Sequence, residues 1–157
     1  MKVREIMCHE VASCRWSTNL AEAARTMWSN DCGAVPVVDD SNRVVGMITD
    51  RDICMAAATR GRRAAEITVG DVITGMLHSV SPDDDVREAL EVMKDQQVRR
   101  LPVTGRNGEL AGMLSLNDVI LNVSVPRRRT ANAAITPADV VETLRAIGQR
   151  QSVGIPG

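Results

Sequence analysis

The sequence predicts an α+β fold: two β-α-β-β-α repeats related by pseudo-twofold symmetry, followed by a C-terminal helix. Three observations predict it. First, shifting the chain by 66 residues (118 minus 52) lays residues 3–54 over 69–120 without a gap, and Val3/Val69, Ser13/Ser79, Glu22/Glu88, Met27/Met93, Pro36/Pro102, Gly46/Gly112 and Asp52/Asp118 are identical. Second, each copy carries one amphipathic stripe at helical spacing followed by two short apolar runs, the pattern of a helix feeding a hairpin. Third, each copy ends on the same phrase, "GMITDRDI" or "GMLSLNDV". Two copies at this long period fit a face-to-face pair better than a linear array.

Each copy opens on a short helical turn, "VREIM" or "VGDVI", and an extended piece, "EVASC" or "MLHSV". The first stripe is Leu20, Ala23, Ala24, Met27 and Trp28, and the second is Val86, Ala89, Leu90 and Met93. Before the second, "SPDDD" reads as a helix start, with Ser81 as cap, Pro82 in the first turn and aspartates at the positive helix end. The hairpins are "AVPVV" with "RVVGMI" and "RLPV" with "ELAGML". Pro36 and Pro102 cannot donate to a ladder and belong at a strand end or edge. A last helix is predicted from Thr49 and from Ser115. These readings divide the chain into repeat one (1–60), a polar linker (61–68), repeat two (69–123) and a tail (124–157). In the tail, "PRRRT" is a basic loop and "TPADVVETLRAIGQRQ" a helix capped by Thr136 with Pro137 in its first turn.

Composition narrows the function. The chain has two Trp and no Phe or Tyr among 157 residues, so its core is aliphatic with Met as filler. So few aromatics leave little platform for stacking bases, and a net charge of −1 recruits neither nucleic acid nor an anionic membrane. The charged N-terminus "MKVREIMCHE" lacks the apolar core of a signal peptide, and no apolar run approaches a membrane span. Cys8, Cys14, Cys32 and Cys54 show no C-x-x-C spacing, so they read as reduced thiols of a cytoplasmic protein.

Thr49-x-x-Asp52 and Ser115-x-x-Asp118 fit the capping-box pattern, as do Ser81-x-x-Asp84 and Thr136-x-x-Asp139. What sets the first two apart is an apolar strand ahead of each, with an interior glycine where another group can approach the backbone closely. A strand feeding a helix N-terminus offers free N–H groups to an anion. A hydroxyl there can donate to a phosphate, and a carboxylate one turn on can accept from a ribose diol. Arg51 lies between them, facing either a phosphate or solvent.

With these phrases, and with "VSPDDDVREALEVMKDQQVRRLPV", residues 1–123 resemble a tandem pair of cystathionine-β-synthase (CBS) domains, a Bateman module. The resemblance implies two clefts between the repeats that bind adenosine-containing ligands such as AMP, ADP, ATP or S-adenosylmethionine, with no obligatory cofactor. It implies Asp52 and Asp118 as ribose-binding carboxylates and Thr49 and Ser115 as phosphate-side hydroxyls. Each cleft is then lined by the early segment of the opposite repeat: Thr74, Leu77 and Ser79 for the Thr49 cleft, and Cys8, Val11 and Ser13 for the Ser115 cleft. A threonine is common in the family where Cys8 stands, and a thiol is the poorer hydrogen-bond partner. Arg99 and Arg100 stand where some members place basic residues against phosphates, though a solvated strand start is equally consistent with them.

His9 and His78 read as surface or packing residues, Trp28 as core or interface, and Trp16 as a residue that can cover a cleft mouth. The expectation is a regulatory ligand-sensing module, a homodimer through the helix stripes around Met27 and Met93, acting on itself or on a regulated partner protein. The alternative is a ligand-free protein–protein interaction module in which the repeated motif only caps helices. No nucleophile–base pair, metal-ligand cluster or P-loop points to an enzyme.

Overall fold

The structure is a computed structural model that describes residues 1–73, 76–123 and 135–149. Thr74, the basic run at 127–129 and the tail beyond 149 lie outside the described residues. The first repeat holds a 3-10 turn (Val3–Glu5), β1 (Cys14–Arg15), α1 (Leu20–Ser29), β2 (Ala34–Val38), β3 (Val44–Thr49) and α2 (Asp50–Thr59). The second holds a 3-10 turn (Val69–Asp71), α3 (Val86–Asp95), β4 (Arg100–Thr104), β5 (Leu110–Ser115) and α4 (Leu116–Asn122), and α5 (Pro137–Gly148) follows.

The internal symmetry extends to backbone detail. β2 and β3 pair antiparallel with an irregularity between Val37 and Val38, and β4 and β5 do so with one between Val103 and Thr104. The hairpin turns use a positive φ at Asn42 (60°) and at Gly108 (82°), equivalent positions filled by the residue types that tolerate it best. Asp31 (48°) and Gln97 (53°) are the matching left-handed residues after α1 and α3.

Three details differ from the sequence reading. β1 pairs parallel with β2, but in the second repeat its equivalent shrinks to a single bridge between Val80 and Val103. Within the predicted linker, Ala64–Glu66 forms a 3-10 turn. Ser81 does not cap α3. Its N–H donates to Asp84 (2.7 Å), closing a turn of its own, and Asp85 caps the helix through the Arg87 N–H (2.9 Å) with Glu88 completing the box.

The two repeats are threaded through each other. Val3, fully buried, and Met7 belong to the core that α3, β4, β5 and α4 build. Ile67 and Val69, both fully buried, belong to the core under α1, β2 and β3. The backbone bonds holding these segments repeat at the same shift. Val3 and Arg4 donate to Asp84 and Pro82 carbonyls (both 3.0 Å), and Val69 and Gly70 donate to Thr18 and Trp16 carbonyls (2.8 and 2.9 Å). Across the pseudo-twofold axis, Val44 N–H donates to Gly108 O (2.9 Å) and Leu110 N–H to Asn42 O (3.0 Å). Neither core is made by one repeat alone.

Among the described residues, α5 has no symmetry mate in the first repeat. It packs on α3 and α4, contributing Val140 and, with Ile135 just ahead of it, apolar surface to the second core. Thr136 caps it as the sequence predicts, accepting from Asp139 N–H (3.3 Å) while Asp139 Oδ2 accepts from Thr136 N–H and Oγ1 (2.7 and 2.8 Å).

Candidate nucleotide cleft between the repeats

The repeated phrase builds a strand-to-helix corner in each copy. At the first corner Thr49 caps α2, with Asp52 N–H donating to Thr49 Oγ1 (3.2 Å). Asp52 Oδ2 accepts from Thr49 N–H (2.9 Å) and from Thr49 Oγ1 (2.7 Å). At the second corner Asp118 Oδ2 accepts from Ser115 N–H and Oγ (2.7 and 2.6 Å). Both carboxylates therefore spend one oxygen on capping. Oδ1 of each accepts no hydrogen bond from a described residue.

The strand glycines sit under the early segment of the other repeat. A Cβ on Gly46 would lie 2.7 Å from Ile73 Cδ1, and one on Gly112 would lie 2.6 Å from Cys8 O and 3.0 Å from Met7 Sδ. Met7 and Ile73 are equivalent under the 66-residue shift. Cys8 also forms a two-way backbone bridge to Met113 (2.9 Å each way), which locks that segment onto β5.

A cleft of about 520 Å³ opens on the Thr49 side. Its floor is the corner itself, with Gly46, Thr49 and Arg51. One wall is the crossing segment of the second repeat, including Ile73, Met76, Leu77 and His78, and another is the start of β4, including Arg99 and Arg100. Trp16 stands on its rim, about half exposed, packed so closely over Gly70 that any side chain there would collide with the indole. Thus three cations from two repeats face one hollow, against a single carboxylate, Asp50. The guanidinium groups of Arg51, Arg99 and Arg100 make no ion pair or side-chain hydrogen bond with a described residue.

Of the residues expected from the sequence, Thr49, Leu77, Arg99 and Arg100 line this cleft. Asp52 lies just behind Thr49 and is not on its wall. Ser79 is not on the wall either, and its hydroxyl accepts from Thr104 Oγ1 (3.2 Å). Thr74 lies outside the described residues. On the other side, Cys8 is drawn to Met113 beside the Ser115 corner, its thiol donating to Glu10 O (3.4 Å), and Val11 and Ser13 are partly exposed. His78, read with His9 as a surface or packing residue, is on the cleft wall, whereas His9 is exposed. Sequence reasoning left Arg51 open and missed His78. For His78 the signal was available: it adjoins Leu77, on a segment already assigned to the cleft.

Two interlocked α+β repeats with a cleft at a strand-to-helix corner define a paired-repeat binding module. The CBS domain family model matches residues 3–59 and 69–125, and the chain belongs to this family. It is 33% identical over 116 residues to hypoxic response protein 1 of Mycobacterium tuberculosis, covering 74% of this chain and 80% of that protein. The crystal structure of Hypoxic Response Protein I, which contains two coordinated zinc ions, superposes with a TM-score of 0.72 at 31% identity over 79% of this chain and all of that one. Among the described residues here, no cluster of three His, Cys, Asp or Glu is placed to hold a metal ion. The CBS pair of MJ0100, solved with 5′-methylthioadenosine and S-adenosyl-L-methionine, shares the fold (TM-score 0.67, 21% identity, 77% of this chain and 94% of that one). So does CBSX2, solved with AMP (TM-score 0.64, 24% identity, 76% and 93%). No helix among the described residues is long and apolar enough to cross a membrane.

Proposed function

We propose that this chain is a regulatory module that senses a phosphorylated adenosine nucleotide in the cleft at the N-terminus of α2. One observation carries the reading: Arg51, Arg99 and Arg100, none paired with a described residue, converge with Thr49 on a single hollow. Guanidinium groups and a helix N-terminus both favour phosphate oxygens. The same charge disfavours a sulfonium, so AMP, ADP or ATP fits better than S-adenosylmethionine. In this reading Trp16 and the apolar side chains of Ile73, Met76 and Leu77 enclose the base, and Asp52, behind the wall, holds Thr49 in place through Oδ2 instead of contacting the ribose directly. The corresponding roles at the second corner fall to Ser115 and Asp118, with Cys8, Val11 and Ser13 beside them. Occupancy is transmitted by differential affinity for two arrangements of the repeats or of a homodimer, in the cytoplasm, to a partner protein or to the assembly itself.

A second reading has its own support. Thr136 and Asp139 show the same bond pattern as Thr49 and Asp52, at a helix that contributes no described residue to that cleft. On that ground the motif is a cap alone and the chain a ligand-free interaction module. Calorimetric titration and thermal shift with AMP, ADP, ATP and S-adenosylmethionine separate the two. The sensing reading expects a concentration-dependent rise in midpoint with a nucleotide, weakened by Arg99→Ala with Arg100→Ala. No shift with any of the four supports the cap reading.

A further inference from the structure

The turn that ends α3 serves two parts of the molecule at once. On one side Gln97, Val98, Arg99 and Arg100 form a wall of the cleft. On the other, Gln97 Nε2 donates to the carbonyls of Ala146 and Gln149 (3.1 and 2.9 Å) at the end of α5. A side-chain amide nitrogen has two hydrogens, and both are spent on this contact. The last turn of a helix is where carbonyls run short of partners within the helix, so the two donors meet a real need.

The other polar anchors of α5 stand away from the cleft. Arg87 pairs with Asp139 (3.0 Å) and Lys94 with Glu142 (2.9 Å), and neither pair has a member on the cleft wall. Both pairs have a solvent-exposed partner, and such pairs hold a helix only weakly. The left-handed backbone at Gln97 (φ 53°) does not need α5. Asp31 (φ 48°) makes the equivalent turn in the first repeat, where no described helix docks in this way. What α5 fixes is therefore the Gln97 side chain. Asp31 is not on the cleft wall, so the arrangement is peculiar to the second repeat.

We propose that Gln97 couples occupancy of the cleft to the docking of α5, and that α5 is the element through which this chain reports a bound nucleotide. The inference rests on the nucleotide reading of the cleft given above. The physical link is ordering. Gripping a phosphate fixes Arg99 and Arg100, and fixing flexible side chains costs conformational entropy. A docked α5 has already fixed Gln97 beside them, so a ligand meeting that wall has less left to order. The coupling is reciprocal: the nucleotide strengthens docking by the factor by which docking strengthens nucleotide binding. Gln97 is thus a positioning residue, acting through the wall it steadies. α5 lies outside the stretches 3–59 and 69–125 that match the family model, so the reporting element is one added to the two repeats.

Amide exchange of the full chain with and without saturating ATP, alongside calorimetric titration, tests it. In the wild type, ATP is expected to slow exchange in 137–148 by about fivefold or more. Gln97→Met keeps the stem and loses both donors. In that variant ATP is expected to leave 137–148 unchanged while still slowing exchange at 50–55, at the start of α2. The double variant Asp139→Lys with Glu142→Lys sets like charges against Arg87 and Lys94, so α5 is expected to exchange freely and ATP to bind about fivefold or more weakly. Added positive charge alone would strengthen ATP binding, so the expected loss runs against the simple electrostatic effect. Three results would each overturn the coupling alone: ATP binding with unchanged exchange in 137–148, a Gln97→Met variant in which ATP protects α5 as in the wild type, or a double variant with a released α5 and wild-type affinity for ATP. Absence of any binding heat with ATP, ADP and AMP would overturn the sensing reading and the coupling with it.

Discussion

Gly112 lies directly beneath the carbonyl of Cys8, so close that a β-carbon at 112 would stand 2.6 Å from that oxygen. The carbonyl cannot step aside, because it accepts from Met113 N–H while Cys8 N–H donates to Met113 O. At the equivalent Gly46 the obstacle is only the tip of the Ile73 side chain, which can rotate. Gly112→Ala is therefore expected to destabilise the protein by roughly 2–3 kcal/mol, and Gly46→Ala by about 1 kcal/mol or less. Urea midpoints at constant slope would show the ordering, and equal costs at the two sites would contradict it.

The cleft arginines should separate by ligand charge. Losing one charge-assisted hydrogen bond costs about 1.5–3 kcal/mol, so Arg99→Ala or Arg100→Ala is expected to weaken ATP binding by roughly 10- to 100-fold. Adenosine, which lacks phosphate, should lose much less. Calorimetric titration of the two ligands against each variant gives the comparison.

The attachment of α5 depends on pH. Burial opposes ionisation of Asp139, but donation from Thr136 and the adjacent Arg87 outweigh it and hold its carboxyl below the usual carboxylate range. A carboxylate with a lowered folded-state pKa contributes stability above its unfolded value, near 4, and loses it as pH falls through the lower folded value. Lys94 is shifted up by its hydrogen bonds to Glu142 and Glu91, so its contribution persists below its ordinary value near 10.5 and fades as pH rises beyond it. Asp139→Asn is expected to cost about 1 kcal/mol at pH 7 and progressively less below pH ~4, where the wild type protonates too. Amide exchange in 137–148 measured against pH would show it.

Thiol reactivity should follow burial. Cys14 is buried in the first core, and burial pushes its pKa up to about 11. Cys8 and Cys54 are exposed. Alkylation at pH 8 followed by peptide mass analysis is expected to modify Cys8 and Cys54 first and Cys14 only on unfolding. Early labelling of Cys14 would mean that β1 opens readily.

Ile67, in the segment between the repeats, is fully buried in the first core. Ile67→Ala is expected to cost about 2–5 kcal/mol, as much as a central core truncation. A fragment of residues 1–60, lacking Ile67 and Val69, is expected to show no cooperative melting transition. A sharp transition from that fragment would show that the first repeat does not need the second.

Much of this architecture was legible as repetition. The 66-residue shift anticipates both hairpins, the caps at Thr49 and Ser115, and the close approaches at Gly46 and Gly112, because identical local chemistry folds identically. What escaped were relations between distant segments. Val3 and Val69 match each other in sequence, yet nothing local says that each completes the other's core. Ser81-x-x-Asp84 reads as a helix start by the rule that succeeds at Thr136. It fails because Asp85-x-x-Glu88, one turn on, supplies a second box at the place where the apolar stripe begins. Trp28 sits on the helical stripe by spacing, but Met27 takes the inward position beside it. In the cleft, Thr49, Leu77, Arg99 and Arg100 were anticipated, whereas the place of Arg51 depends on which way a helix's first turn faces, which periodicity does not report.

The mutual threading of the two repeats sets an order of events during synthesis. Val3 belongs to a core that also holds Leu90, Leu114 and Val119, which are translated long after it. The segment around Val3 must wait, apolar and unsheltered, until α3, β5 and α4 emerge, so the nascent chain passes through a stage in which the first repeat is fully translated and neither core can close.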